Sequence, residues 1–427
     1  MKLESLCKFD RYVLVISGFC YITDSSGTSK VVKAHEEIFN ESGIDYIVLH
    51  PMNPRGIYTK CYGVVVNGKY YGVRTYKEIL FEIVGLNKYP TGILIHHIIN
   101  TEISNVKLIL EIFKDIRIVF YLHDFYSYCI NPKMLKDDRY FCAYENVNCC
   151  GCKYQNTREK HFEKINEFFK YFEKKITFVS PSDFTKKIWI NLFPQYKEKV
   201  VVIPHLTGIG VYYKNKICKN SENPLKIGYV GAQNYAKGWE IFKKCFSTAN
   251  RNGCDYRYFS FGKANERIDG IVNIDVQIHL QGKNAMIEAL RNNEIDVVFL
   301  CSVWPETYSY TLYESMAANC FIVTTEFSGN IATVIKKEGF GCVFSSIDDL
   351  ERCFSNEECF KKMINEWKQN KIYGYSSYED NSKILDCFNK GKVHVYNYDT
   401  EDEVFYKKIF RRILTLTYVL KDKILSN

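Results

Sequence analysis

No apolar run in the 427-residue chain reaches the roughly 18 residues that a membrane span requires, so no transmembrane helix is expected. Met1–Asp10 carries charges and lacks an apolar centre, which argues against an export signal. No internal repeat or low-complexity tract interrupts the chain. Basic excess is modest as well. A net charge of +8 falls short of the pI above about 9 expected of a nucleic-acid-binding domain, so no nucleic-acid partner is expected. That charge does suit an anionic substrate or an acidic membrane surface. Cysteine, by contrast, is plentiful. Seventeen of them in a long, periodic chain are not the staples of a small secreted domain, and they point to a reducing cytoplasm.

An apolar content of 46% and a charged content of 25% are those of a globular protein. The length suits two domains of about 150–200 residues. Apolar runs alternate with helix-period segments, which predicts parallel sheets built of βαβ units. Strands are expected at Tyr12–Ser17, Tyr46–Leu49, Gly92–His96, Arg117–Leu122, Thr177–Ser180 and Val200–Ile203. The rhythm restarts with Leu225–Val230, Tyr256–Phe261, Asp296–Leu300, Phe321–Thr324 and Gly341–Phe344. Between the two series, Lys214–Pro224 is charged, aperiodic and closed by Pro, as a linker would be. The expected architecture is α/β, with two Rossmann-like domains over residues 1–213 and 214–390 facing a cleft, and a helical tail over 391–427.

The richest segment is the loop Pro305-Glu306-Thr307-Tyr308-Ser309-Tyr310-Thr311-Leu312-Tyr313-Glu314. It lies between two predicted strands, at the carboxyl edge where open α/β sheets bind ligands. Glu306 falls on the loop and Glu314 about one turn inside the following helix. Amides from Thr307 through Tyr308, Ser309 and Thr311 to Leu312 would face outward at a helix start, which receives phosphate. Carboxylates for sugar hydroxyls beside amides for a diphosphate suit a nucleotide sugar.

The order Glu-x7-Glu followed by Ser315-Met316-Ala317-Ala318-Asn319 and a Val/Ile-rich strand closely resembles the donor-site signature of family 4 glycosyltransferases of the GT-B fold. Further landmarks stand in family order over about residues 11–350. Ile227-Gly228-Tyr229-Val230-Gly231 with Lys237-Gly238 resembles the first strand and turn of the donor domain, Gly231 allowing a tight turn and Lys237 reaching the diphosphate. Where relatives often carry Arg after that Gly, this chain has Ala232, so Gln233, Lys263 or the helix start at Thr311 must meet part of the charge. His123-Asp124 matches the family's His-Asp, with His123 facing the reacting sugar. His96, His97 and Asn100 end the neighbouring strand and are candidates to line the same cleft. Ser17-Gly18 and Ser26-Gly27-Thr28 are similar to the family's glycine loop.

The resemblance implies a metal-independent transferase that retains anomeric configuration. Its donor would be a nucleoside-diphosphate sugar, and its acceptor a glycan or lipid-linked saccharide. Glu306, Lys237 and His123 would carry the chemistry and Glu314 the ribose. No Asp-x-Asp for a magnesium–diphosphate complex lies between strands, which agrees. A GT-B sugar-nucleotide epimerase and a silent glycan- or partner-binding GT-B module are the alternatives.

Two features stand apart. Cys129, Cys142, Cys149 and Cys152, within an aperiodic insert of about residues 129–156, suit either a tetrahedral structural zinc or ordinary buried thiols. In the tail, Tyr406, Phe410, Ile413, Thr417, Leu420 and Ile424 line one face of a helix flanked by Lys and Arg. That helix either packs back across the domains, the preferred reading, or lies peripherally on an acidic membrane surface.

Overall fold

The computed structural model describes residues 3–24, 26–52, 61–142, 151–212, 223–388 and 392–393. The linker, the centre of the cysteine-rich insert with Cys149, and the amphipathic tail lie outside these residues.

Two parallel sheets organise the chain. The first runs Val200–Val202, Ile176–Ser180, Ile118–Tyr121, Tyr89–Ile95, Arg11–Ile16 and Ile44–Pro51 in parallel, then adds Cys61–Val66 and Lys69–Thr75 antiparallel. The second is wholly parallel, in the order Ile271–Ile274, Tyr256–Phe261, Leu225–Val230, Val297–Phe299, Phe321–Thr325, Gly341–Phe344. Counted along the chain that is 3-2-1-4-5-6, the doubly wound order.

Strands covered by helices on both faces read as unbroken apolar runs. Val13, Leu14, Val15 and Ile16 are all fully buried, alternate side chains entering the two cores of the first sheet. Trp189, on helix Asp183–Leu192, packs 4.5 Å from Phe178 between ring centroids. Each such buried side chain contributes about 1.5–3 kcal/mol. The second sheet is likewise cored on both faces, around Ile227, Phe242 and Phe299 on one side and Val298, Leu312 and Ile322 on the other.

Three features depart from the alternating pattern. The hairpin Cys61–Val66/Lys69–Thr75 turns on Asn67 and Gly68, at φ 47° and 75°, the positive pair that an Asn-Gly turn supplies. Strand Leu206–Tyr212 leaves the first sheet and pairs antiparallel with Tyr373–Asp380. Beyond it the chain returns to the first half, where Ile384, Leu385, Cys387 and Phe388 join the core that contains Phe39. Among the described residues, no helix is long and apolar enough to cross a membrane.

Each sheet has one switch point, where successive strands part to opposite sides. In the first it lies between Arg11–Ile16 and Tyr89–Ile95; in the second, between Leu225–Val230 and Val297–Phe299. The carboxyl edges of the two sheets meet there. Thr307 Oγ1 donates to His123 O at 2.5 Å, and Ser182 Oγ donates to Thr307 O at 2.8 Å.

Candidate functional site

Past Val297–Phe299 the chain turns through Ser302, Trp304 and Glu306. Glu306 is only 2% exposed. Its Oε1 accepts from Ser302 Oγ at 2.7 Å, Trp304 Nε1 at 3.1 Å and Lys237 Nζ at 2.5 Å. Oε2 makes no hydrogen bond among the described residues. Two neutral donors and a cation thus converge on one oxygen of the group.

Backbone contacts fix both partners. The turn Tyr235–Lys237 is capped by Asn234, whose Oδ1 accepts from Lys237 N at 3.0 Å, and Val303 N donates to Ala236 O at 2.9 Å. Gly238 follows at φ 80°, so close to the next strand end that a Cβ would stand 1.9 Å from Cys301 O. Lys237 therefore reaches Glu306 only because residue 238 has no side chain. Gly238→Ala is expected to lose about 1–3 kcal/mol from the backbone conformation alone, and more from the clash. Urea unfolding measures it; a wild-type midpoint would contradict this packing.

Helix Tyr310–Ala317 opens next to the expected start at Thr311 and carries Glu314 about one turn inside it. Its first-turn amides are those of Tyr310, Thr311 and Leu312, and Ser309 Oγ lies 3.0 Å from Thr311 Oγ1. Thr307 and Tyr308 serve the seam instead of a helix start. Thr307 O also accepts from Thr185 Oγ1 at 3.1 Å, and Tyr308 OH accepts from Leu206 N at 3.1 Å. Glu314 is 7% exposed and its Oε2 has no hydrogen-bond partner. Burial pushes this carboxyl above the usual carboxylate range, opposed by the charge of Lys30.

Opposite these groups, His123 ends the first-sheet strand and is half-buried. Its Nε2 lies 2.9 Å from His96 Nδ1, and His96 Nε2 lies 3.1 Å from Tyr46 OH and 3.3 Å from His35 Nδ1. The rings of Tyr121 and His123 stack at 4.7 Å, those of His123 and His205 at 5.5 Å. His205 reaches the second half, stacked 5.9 Å from Tyr310 and edge-on to Tyr308. Desolvation lowers the pKa of His35, His96, His123 and His205, to about 3 for His35. They form a neutral imidazole stack from the first core to Tyr308 and Tyr310 of the second half.

His97 anchors the neighbouring acid. Its Nδ1 accepts from Ile99 N at 2.9 Å, so Nε2 carries the proton that meets Asp124 Oδ2 at 2.9 Å. Asp124 Oδ1 accepts from Tyr126 N at 2.9 Å. His96 and His97 are thus buried behind His123 and Asp124 and do not line the cleft. Sequence reading missed His35, Tyr46, Tyr121 and His205, which are isolated in sequence and meet only through the sheet.

Gln233 is buried with both ends engaged. Its Oε1 accepts from Asn265 N at 2.7 Å and Glu266 N at 2.9 Å, and its Nε2 donates to Ser260 Oγ at 3.0 Å. It holds a loop and is not free for a diphosphate. Ala232 and Lys263 are exposed, and Gly231 turns the chain at φ 128°. Gly27 is the first residue of helix Gly27–Glu41, with open space where a Cβ would stand. Of the proposed zinc ligands, Cys129 is buried, Cys142 Sγ donates to Met134 O at 2.8 Å and Cys149 lies outside the described residues. Among the described residues no group of three or more His, Cys, Asp or Glu side chains is arranged to hold a metal ion.

Residues 214–371 match the family model of glycosyl transferases group 1. No curated protein matches the sequence. Among solved structures, the pneumococcal O-GlcNAc transferase GtfA in complex with UDP and GlcNAc is similar with a TM-score of 0.51 at 10% identity, over 84% of this chain and 94% of that one. WaaG, a glycosyltransferase involved in lipopolysaccharide biosynthesis, gives 0.51 at 14% identity, over 84% and 93%. Sucrose-phosphate synthase from Thermosynechococcus elongatus gives 0.50 at 12% identity, over 84% and 93%. The fold of this chain is therefore that of the GT-B glycosyltransferases, and the part of it that carries Lys237, Glu306 and Glu314 matches the glycosyl transferases group 1.

Proposed function

We propose that this protein is a family 4-type glycosyltransferase. It moves a sugar from a nucleoside-diphosphate donor to a glycan or lipid-linked saccharide acceptor, with retention of anomeric configuration. The observation that carries the reading is the buried carboxylate of Glu306, held beside Lys237 at the switch point of the second sheet, next to Thr307, whose hydroxyl bonds the carbonyl of His123 across the seam. The GtfA structure, in complex with UDP and GlcNAc, supports a nucleotide-sugar donor.

In this reading Glu306 Oε2 accepts from donor-sugar hydroxyls, while Glu314 Oε2 accepts from the ribose. Donor binding draws Lys237 from Glu306 toward the diphosphate, where its charge and the amides of Thr311 and Leu312 meet the negative charge that develops on the leaving group. His123 contacts the sugar near the reacting carbon. Thr307 already occupies its carbonyl and His96 its Nε2, so Nδ1 is the atom left for the sugar. The acceptor hydroxyl attacks from the face the diphosphate leaves, which preserves configuration.

Release of nucleoside diphosphate from nucleotide sugars, followed with and without candidate acceptors, tests this. Acceptor-dependent release with a new glycosidic bond is expected. Turnover to an epimeric nucleotide sugar without acceptor, or no turnover with any donor, would overturn it. Because the cations are side chains, the rate is expected to be unchanged in EDTA; a rate restored only by added divalent ion would contradict that part.

A further inference from the structure

On the reading of this cleft as a nucleotide-sugar site, Lys237 is not the sole cation available to the diphosphate. Lys237 is bound to Glu306, Ala232 offers no charge and both ends of Gln233 are engaged. Lys30, on helix Gly27–Glu41 of the first half, points across the seam. Its Nζ stands 5.1 Å from the centroid of Tyr310, the first residue of the donor-side helix, and its charge acts on the buried Glu314. The ammonium makes no ion pair among the described residues. The half-buried ammonium thus stands between the start of helix Tyr310–Ala317 and the carboxyl of Glu314.

The helix that carries Lys30 is fixed in place. Two turns further along the same face, Glu37 meets Lys283 of the second half at 2.7 Å, and Lys283 also binds Asp380 at 2.9 Å. The start of that helix is unsuited to phosphate by itself. Asp24 already lies there, its Oδ2 accepting from Ser29 Oγ, Ser26 Oγ and Ser26 N, so negative charge fills the positive end of the dipole. The side chain of Lys30 reaches past this acid to the other half.

We infer that Lys30 belongs to the donor site and binds the diphosphate of the nucleotide from the opposite half of the molecule, together with the amides that open helix Tyr310–Ala317. The site is then complete only when the two halves are joined. Lys30 selects donors whose leaving group is a nucleoside diphosphate over those that release a monophosphate.

Calorimetric titration of the full chain with UDP and UMP, GDP and GMP, dTDP and dTMP, and ADP and AMP tests this in wild type, Lys30→Ala, Lys30→Gln and Lys30→Arg. For the base that wild type binds, the preference for diphosphate over monophosphate is expected to fall roughly tenfold in Lys30→Ala and Lys30→Gln. Lys30→Arg should keep most of it, and melting temperatures should be unchanged. An unaltered preference in Lys30→Ala and Lys30→Gln overturns the inference alone. So does an equal loss for mono- and diphosphate, which would put Lys30 at the nucleoside end. If wild type binds no nucleoside diphosphate, the donor-site reading fails and this inference with it.

Discussion

Glu306→Gln is expected to slow sugar transfer about 10²–10³-fold while the protein stays folded. Glutamine keeps an acceptor for Ser302 and Trp304, and the released Lys237, 39% exposed, can turn into water. Lys237→Ala should behave differently. It also slows transfer, but it leaves the carboxylate of Glu306, 3% exposed, without its cation. An uncompensated buried group of this kind costs about 1–3 kcal/mol. Of the two single variants, only Lys237→Ala should therefore lower the melting temperature, and adding Glu306→Gln to it should restore most of the loss. Near-normal transfer by folded Glu306→Gln would remove Glu306 from the chemistry. Equal stability of the two single variants would show that the pair carries no buried charge.

Acid should destabilise the protein well above the carboxylate range. His35, His50, His96 and His205 are buried, and desolvation lowers the pKa of each, to about 3 for His35 and about 4 for His50. In the unfolded chain each titrates near 6.5. Above that value both states are neutral and the stability is fully present. As the pH falls below it, the unfolded chain takes up protons that the folded one refuses, and each group withdraws about 1.4 kcal/mol per pH unit until its folded pKa is reached. Glu36 and Glu314, raised by burial, run the other way and return part of this. With four histidines set against two carboxyls, the net change from pH 7.5 to 5.5 is a loss of stability. Urea unfolding between pH 7.5 and 5.5 measures it, and His35→Leu should flatten the slope by one group. Stability independent of pH over that range would show that the stack is not neutral.

Much of this was legible in the chain because parallel strands buried on both faces leave apolar runs that periodicity finds. Leu225–Val230, Tyr256–Phe261 and Gly341–Phe344 stand where the sequence put them. The hairpin Cys61–Val66/Lys69–Thr75 is absent from the expected strands, although Asn67-Gly68 between Val-rich and Tyr-rich runs signals it. Glu306, Glu314, Lys237 and His123 are singled out as candidates by order and spacing. Their mutual contacts were not, since the bond from Thr307 to His123 joins residues 184 positions apart. The imidazole stack draws on positions 35, 96, 123 and 205, which share no local pattern and are brought together by the strand order alone. The same holds for Lys30, an ordinary surface lysine in sequence, which gains significance only from the helix docked across the seam.

The most direct test of the central claim is thermal and urea unfolding of the full chain with UDP-, GDP-, dTDP- and CMP-sugars. A donor that binds only the folded protein should, at a hundredfold excess over its dissociation constant, stabilise it by about 2.7 kcal/mol, and a nucleoside diphosphate without sugar should compete for the same site. Stabilisation by one nucleotide sugar, weakened in Glu306→Gln, is the predicted result. If no nucleotide sugar shifts the transition of the wild type, the cleft is not a donor site and the account is contradicted.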